Sequence, residues 1–293
     1  MSKNGKFRGK QGYKCKKCRK QFVNNKRGKP LIQKIWNDYV FGKQTLRQLS
    51  KKYHKSLPTV ENILEKAVVN QKKIPLQKVI VTADVTFFGR GYGMLVLRSE
   101  KLKKNLYWKE VLNESPKEYM KARKEIESLG FTIEAIVLDG RKGVRESFCD
   151  MPIQMCHFHQ KMILRRYLTQ SPKLEAGKEL RALGEALICI QEKDFKNLLS
   201  QWHEKWKEFL KEKTYDEDLK HWHYTHKRLR SAHRSLKENI PYLFTYQRYQ
   251  KLAIPKTTNS LDGSFGHMKT LLKNHRGVSK KRRFKMIQEI LGK

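Results

Sequence analysis

Acidic residues are scarce in this chain. Its 293 residues hold 28 Asp and Glu against 65 Lys and Arg, for a net charge of +37. Self-repulsion on that scale opposes compaction and asks for a polyanionic partner. Nucleic acid is the polyanion that fits best. Cysteine is scarce too. Five thiols do not build a disulfide scaffold, so pairs among them read first as metal or structural thiols in a reducing compartment. No apolar run approaches the roughly 20 residues of a membrane span, and the N-terminus does not have the pattern of a signal peptide. The expected location is therefore the cytoplasm, in association with the nucleoid. There is no internal repeat and no low-complexity segment.

What charge there is falls unevenly. Residues 1–78 carry 22 Lys and Arg and only three acids, Asp38, Glu61 and Glu65. Residues 263–293 carry nine Lys and Arg against Glu289 alone. Two basic ends flank a more balanced middle. Hydrophobic residues make up 38% of the chain, enough for a core, and the length suits one α/β domain with a smaller module.

The first 29 residues are polar and rich in Gly and Lys, and read as a ribbon fragment or a basic arm. Residues 30–74 read as helices. Pro30 opens LIQKIWNDYVFG, whose apolar residues recur at three- and four-residue steps until Gly42. TLRQLSKKYHKSLPTVENILEKA follows as two short helices with a turn near His54–Ser56, Ser56 standing as N-cap and Leu57, Val60, Ile63 and Leu64 as the buried stripe. That pattern is a helix-turn-helix, or else an ordinary helical hairpin.

After IPLQ the period changes. KVIVTADVTFF, GYGMLVLRS and NLYWKEVLNE are β-rich runs. SPKEYMKARKEIESLG is an amphipathic helix with Ser115 at its cap, and FTIEAIVLD is a fourth strand. The expected fold class is α/β, a mixed sheet with helices on its faces. This order matches the opening of a ribonuclease H-like fold, here spanning 75–170. Residues 171–250 read as a helical insertion, with Trp202, Trp206 and Phe209 as helix core. Five histidines between His203 and His233 read as solvated or facing nucleic acid. Residues 251–293 read as a last core helix and a basic tail.

Three carboxylates stand out. Asp84 lies inside an apolar β run, where a charge is costly without a partner; it faces a metal, or it sits on the solvent side of an edge strand. Asp139 ends the strand IEAIVLDG, at the kind of strand terminus where α/β proteins place ligands; it could equally cap the next segment. Asp262, in TTNSLDGSFGHMK, is the sole acid between Glu238 and Glu289. Carboxylates held close repel, and divalent cations relieve that repulsion. Magnesium suits carboxylate and phosphate oxygens and serves in-line phosphoryl displacement.

The chain resembles bacterial DDE/D insertion-sequence transposases related to the Mutator-like group. The resemblance rests on GKFRGKQGYKCKKCRKQF, the helix-turn-helix, ADVTFFGRGYGMLVLRS, IVLDG, CHFH and TTNSLDGSF…LLKNHRG, in that order. It implies a ribonuclease H-like catalytic core interrupted by a helical insertion. It implies strand cleavage and transfer at element ends with Mg²⁺ or Mn²⁺. Asp84, Asp139 and Asp262 match the three acids, though many relatives carry Glu at the third. The partners so implied are double-stranded DNA, as element ends and target, and a second copy of the chain on that DNA.

MCHFHQK places Cys156 and His159 just past the second acid, where related transposases carry a similar pair; packing, a hydrogen bond near phosphate or half a metal site are the readings, with His157 next in line. Cys15 and Cys18 in YKCKKC resemble one knuckle of a zinc ribbon. Structural zinc takes four ligands, so Zn²⁺ here calls for a second pair. Candidate DNA contacts are Lys14, Lys16, Lys17 and Arg19 on the arm, and Lys55, Thr59 and Asn62 around the second short helix. Lys269, Lys273, Arg276, Lys280, Lys281, Arg282 and Arg283 would hold phosphate near the C-terminus. Two other readings remain: a transposase-derived DNA-binding protein that does not cut, and a transcriptional regulator.

Overall fold

The computed structural model describes residues 1–7, 9–23, 28–69, 74–218 and 220–293. Residues 24–27 and 70–73, beside the expected boundaries at 29 and 74, lie outside the described residues. The chain divides into two compact units, Met1–Lys72 with His267–Lys293, and Lys73–Gly266.

The first unit begins with an antiparallel sheet of β1 (Ser2–Phe7), β2 (Lys10–Lys14) and β3 (Gln21–Val23). Three helices follow: α1 (Gly28–Val40), α2 (Leu46–Tyr53) and α3 (Leu57–Lys66). A capping box starts α2. Gln48 N donates to Thr45 Oγ1, and the Thr45 amide donates to Gln48 Oε1 at 2.8 Å. His54 ends it in the left-handed region at φ 50°, which turns the chain sharply into α3. Ser56 holds the N-cap position of α3 but does not cap it; its hydroxyl lies 2.8 Å from that of Thr59 instead. Trp36, Tyr39, Leu49, Val60 and Leu64 form the core here, and Met286 joins them.

The second unit holds β4 (Lys78–Gly89), β5 (Tyr92–Ser99), β6 (Lys104–Val111), α4 (Pro116–Ser128), β7 (Thr132–Leu138), α5 (Lys142–Glu146), β8 (Ile153–Met155) and α6 (His157–Leu168). The sheet order is β6-β5-β4-β7-β8. β4, β5 and β6 run antiparallel, and β7 and β8 lie parallel to β4. β8 was not expected; three residues are too few to show a period. One face of the sheet packs Val81, Ala83 and Leu138 against Tyr119, Ala122 and Ile126 of α4. On the other face Ala135 and Val137 meet Cys156 and Ile254. Ser115 occupies the α4 N-cap position without a side-chain cap bond.

The insertion comprises α7 (Glu175–Ala186), α8 (Glu192–Lys211), β9 (Lys213–Asp216), β10 (His221–Tyr224), α9 (Lys227–Leu243) and α10 (Thr245–Arg248). The expectation of helix throughout is corrected by the β9–β10 antiparallel pair. KTYD and HWHY are β-branched and aromatic, so each favours a pleated pairing over a helix. Phe195, Leu199, Trp202, Leu229, Leu236 and Phe244 make the insertion core, with Trp206 and Phe209 packed against it.

The chain closes with α11 (Asn259–Lys273) and α12 (Lys280–Leu291). The boundary between units falls within α11. The expected basic tail is an ordered helix. Ser279 caps it through Arg282 N, and Met286, Ile287 and Leu291 are buried.

Candidate active site

Asp84 lies on the central strand, which corrects the edge-strand alternative. It pairs with Val96 of β5, while Thr82 of the same strand pairs with Val137 of β7. Two residues beyond that Thr82–Val137 pair come Asp84, still within β4, and Asp139, one residue past the end of β7. Residues two apart on a strand share a face, and adjacent strands lie about 4.8 Å apart. The register thus brings the end of β7, where Asp139 follows, level with the part of β4 that carries Asp84. The apolar neighbours of Asp84 are those a strand covered on both faces requires.

The chain turns away at Gly140, whose φ is +95° and whose Cβ, were there one, would collide with the Met155 thioether. Only glycine combines that backbone conformation with that approach. The Arg141 amide then donates to Asp139 Oδ1 at 3.0 Å. Asp262 sits in the first turn of α11, where the helix dipole favours a carboxylate. Its amide donates to the Thr258 carbonyl at 3.1 Å, and the Thr258 hydroxyl lies 3.4 Å from its Oδ2.

Burial lifts the Asp84 carboxyl from the usual 3.8 to about 7. The Val85 amide, 2.7 Å from Oδ1, and nearby His159 pull the other way, while the charges of Asp262 and Asp139 add to the rise. The three aspartates therefore share one electrostatic neighbourhood.

Cys156 and His159 flank it. Cys156 is buried, and the Thr258 amide and hydroxyl approach its sulfur at 3.3 and 3.4 Å. Burial pushes the thiol up, but His159 and Thr258 outweigh it and leave it below its ordinary value. The thiol in turn, aided by Asp84 and Asp139 against burial, raises His159 to about 9. A protonated imidazole beside Asp84 is thus part of the site. His157 is different: its Nε2 lies 2.7 Å from the Leu243 carbonyl, and burial lowers its basicity. It ties α6 to the end of α9.

A fourth carboxylate went unnoticed in the sequence. Glu114 precedes the α4 cap, with its side chain 11% exposed. Tyr119 OH donates to Oε1 at 2.9 Å, and Arg141 Nη2 lies 3.0 Å from Oε2. Arg141 Nη1 also donates to the Glu114 carbonyl at 3.0 Å. Burial and then Asp139 raise the Glu114 carboxyl. Arg141, joined to Asp139 through its amide and to Glu114 through its guanidinium, couples the two acids.

Asp84, Asp139 and Asp262 offer only hard oxygen donors, and Asp84 is a buried carboxylate. That donor set fits Mg²⁺ or Mn²⁺. Among the described residues no three His, Cys, Asp or Glu side chains close into a metal-holding group, so these acids are arrayed more openly than a coordination shell. Cys15 and Cys18 lie on the turn between β2 and β3, where the Cys15 and Arg19 amides close the loop onto Lys20 and Cys15 carbonyls at 2.9 Å. Hydrogen bonds from Cys18 and Lys17 lower the Cys15 thiol.

The expected DNA-contacting residues fall in two sets. Lys14, Lys16, Lys17 and Arg19 surround the β2–β3 turn, and Lys55, Thr59 and Asn62 lie on or just before α3, with Thr59 and Asn62 exposed. Lys269, Lys273, Arg276, Lys280 and Lys281 are exposed on α11, α12 and their connection. Arg282 points inward: its guanidinium meets Glu65 at 2.9 Å and Glu61 at 3.7 Å. Arg283, beside it, is half-buried.

No helix among the described residues is long and apolar enough to cross a membrane. No protein-family model and no curated protein matches this chain. Among solved structures, a chain of the simian T-cell lymphotropic virus intasome, determined by cryoEM in complex with PP2A regulatory subunit B56 gamma, is similar at 14% identity over 54% of this chain and 69% of that one, with a TM-score of 0.22. A likeness at that level carries no argument.

Proposed function

We propose that this protein is a DNA transposase whose second unit is a ribonuclease H-like catalytic core. The observation that supports the reading is the electrostatic neighbourhood shared by Asp84 of β4, Asp139 just past β7 and Asp262 at the start of α11. The strand order β6-β5-β4-β7-β8, with β6 antiparallel to β5, β5 to β4, and β7 and β8 parallel to β4, supports the ribonuclease H-like assignment. The net charge of +37 supports DNA as substrate.

The reaction class is phosphodiester cleavage followed by attack of the freed 3′-hydroxyl on a second phosphodiester. Asp84, Asp139 and Asp262 would hold Mg²⁺ or Mn²⁺, which supplies charge neutralisation at the reacting phosphate. Asp84 must release its proton to serve. His159 keeps a positive charge beside Asp84 and favours that release. Arg141 and Glu114 brace the loop that carries Asp139. The basic surfaces of the first unit would grip element ends, and a second copy would join on the DNA.

A DNA-binding protein that does not cut is the second reading. The open spacing of the acids favours it. Incubation of the purified protein with supercoiled DNA and Mg²⁺ separates the two. The transposase reading expects nicked or linear product that vanishes with EDTA. Tight binding with no product at any Mg²⁺ or Mn²⁺ concentration supports the second.

A further inference from the structure

α8 and α9 enclose two clefts, of about 330 and 240 Å³. Lys227, Arg230 and Arg234 line the first, and Lys196 and Lys237 the second. His203 and His233 line both, so the clefts adjoin. No Asp or Glu lines either. Glu204, Glu208 and Glu238 lie away from the groove cations, and Glu192 meets one of them, Lys196. Glu204 and Glu208 pair with Lys207 and Lys211. Glu192 reaches Lys196 and Arg248, and Glu238 lines a separate cleft.

The floor is built and aromatic. The His203 and His233 rings stack at 4.7 Å, and His233 also stacks on Trp202 at 5.2 Å. Arg230 is fixed in place: it lies over the Tyr224 ring at 3.6 Å and donates to the Leu210 carbonyl at 2.8 Å. Burial first, and then neighbouring His203, Lys237 and Arg230, lower His233 from the usual 6.5 to about 4. Apart from Glu192, which reaches Lys196, no carboxylate pairs with the cations of the groove among the described residues. Holding that many cations around one groove disfavours the free fold and favours an anion in the groove.

We propose that this groove of the insertion seats the phosphate backbone of a DNA strand, as a contact surface separate from the basic residues of the first unit. This deepens the DNA-processing reading and rests on it. Successive phosphates suit a run of cations better than one small anion does, because the two clefts continue one another. Lys227, Arg234 and Lys237 are exposed, and among the described residues no carboxylate forms an ion pair with their side chains.

The test compares three full-length proteins by duplex DNA binding across a salt series. The first is the parent. The second is Lys227→Gln with Arg234→Gln and Lys237→Gln. The third is Lys193→Gln with Lys207→Gln and Lys211→Gln, which removes the same charge from the insertion outside the groove. Each phosphate contact adds about 0.9 to the slope of log K against log salt. The groove variant should lose up to about 2.7 of that slope and bind about tenfold or more weakly at 0.1 M salt, while the control variant stays near the parent. Lysine acylation read by mass spectrometry should show Lys227 and Lys237 protected by DNA and not by inorganic phosphate at equal phosphate concentration. Equal slopes for parent and groove variant, equal losses in both variants, or protection by inorganic phosphate alone would overturn the groove. A parent that binds no DNA, or that binds only RNA, overturns the wider reading instead.

Discussion

Asp84 within β4 and Asp139, one residue past the end of β7, each stand two residues beyond the paired Thr82 and Val137. Backbone pairing sets Thr82 beside Val137, and the turn at Gly140 with the Arg141 amide then places the Asp139 carboxylate. It explains how two acids with β5, β6, α4 and β7 between them reach one place. It also explains why the Asp84 carboxyl rises to about 7: burial penalises its charge, and Asp139 and Asp262 add repulsion.

The first prediction concerns that burial. An acid raised in the fold contributes stability that is full below its unfolded value near 3.8 and lost as pH climbs toward 7. In EDTA at pH 8 the Asp84 charge therefore costs stability. Asp84→Asn should raise metal-free stability by on the order of 2–4 kcal/mol at pH 8. At pH 4 the difference should nearly vanish. Thermal unfolding at both pH values checks this, and a lower Tm for the variant at pH 8 contradicts it. Added Mg²⁺ should narrow the gap by binding the parent.

The second concerns His233, which faces Trp202 and His203 of α8 and Arg230 and Lys237 of α9. Its fall from the usual 6.5 to about 4 means the fold resists its protonation. The stability it contributes is present above 6.5 and lost as pH falls toward 4. His233→Gln should flatten that part of the acid limb by about 1–2 kcal/mol, after allowing for partial exposure. Urea unfolding from pH 7 to 4 gives the answer; parallel curves for both proteins would speak against it.

How much of this was legible in the sequence differs by element. β4, β5, β6 and β7 were visible as apolar runs, and α11 as TTNSLDGSFGHMK with Leu261, Phe265 and Met268 buried, as its spacing foretold. β8 was hidden because it has three residues. The β9–β10 pair was hidden because it is wedged between two strongly amphipathic helices whose period masks it. Glu114 was hidden because LNESP reads as a turn. Its role comes from Arg141, 27 residues away, and such contacts leave no local period. An acid just ahead of a helix cap was the one available hint. The docking of α12 is likewise tertiary: the segment read as a basic tail, and the burial of Met286, Ile287 and Leu291 shows only in the fold.

The Glu114 cluster gives the third prediction. Tyr119→Phe removes one hydrogen bond to a buried carboxylate and should cost about 1–3 kcal/mol. Glu114→Gln weakens the hold on Arg141 and so loosens the Asp139 loop. Its Mg²⁺-dependent cleavage should fall about tenfold with DNA affinity unchanged, a loss of about 1.4 kcal/mol in the transition state. Unchanged cleavage by Glu114→Gln would remove Glu114 from the site.

The fourth concerns zinc. Cys15 and Cys18 share one turn, and among the described residues no group of three or more His, Cys, Asp or Glu could hold a metal around them. Since tetrahedral zinc takes four ligands, elemental analysis of the purified protein should find well under one equivalent. A full equivalent that disappears in Cys15→Ser would show that a partner pair exists.

The most direct measurement is cleavage and joining of DNA by Asp262→Asn beside the parent, in Mg²⁺. The substitution keeps the shape of the side chain and removes a carboxylate from the neighbourhood of Asp84. Losing a metal ligand forfeits several kcal/mol of transition-state stabilisation, on the order of a thousandfold in rate. The account predicts that loss with DNA binding nearly intact, and partial activity for Asp262→Glu. Cleavage and joining by Asp262→Asn at the parental rate would contradict it, and would leave Asp262 as an acid on a helix surface.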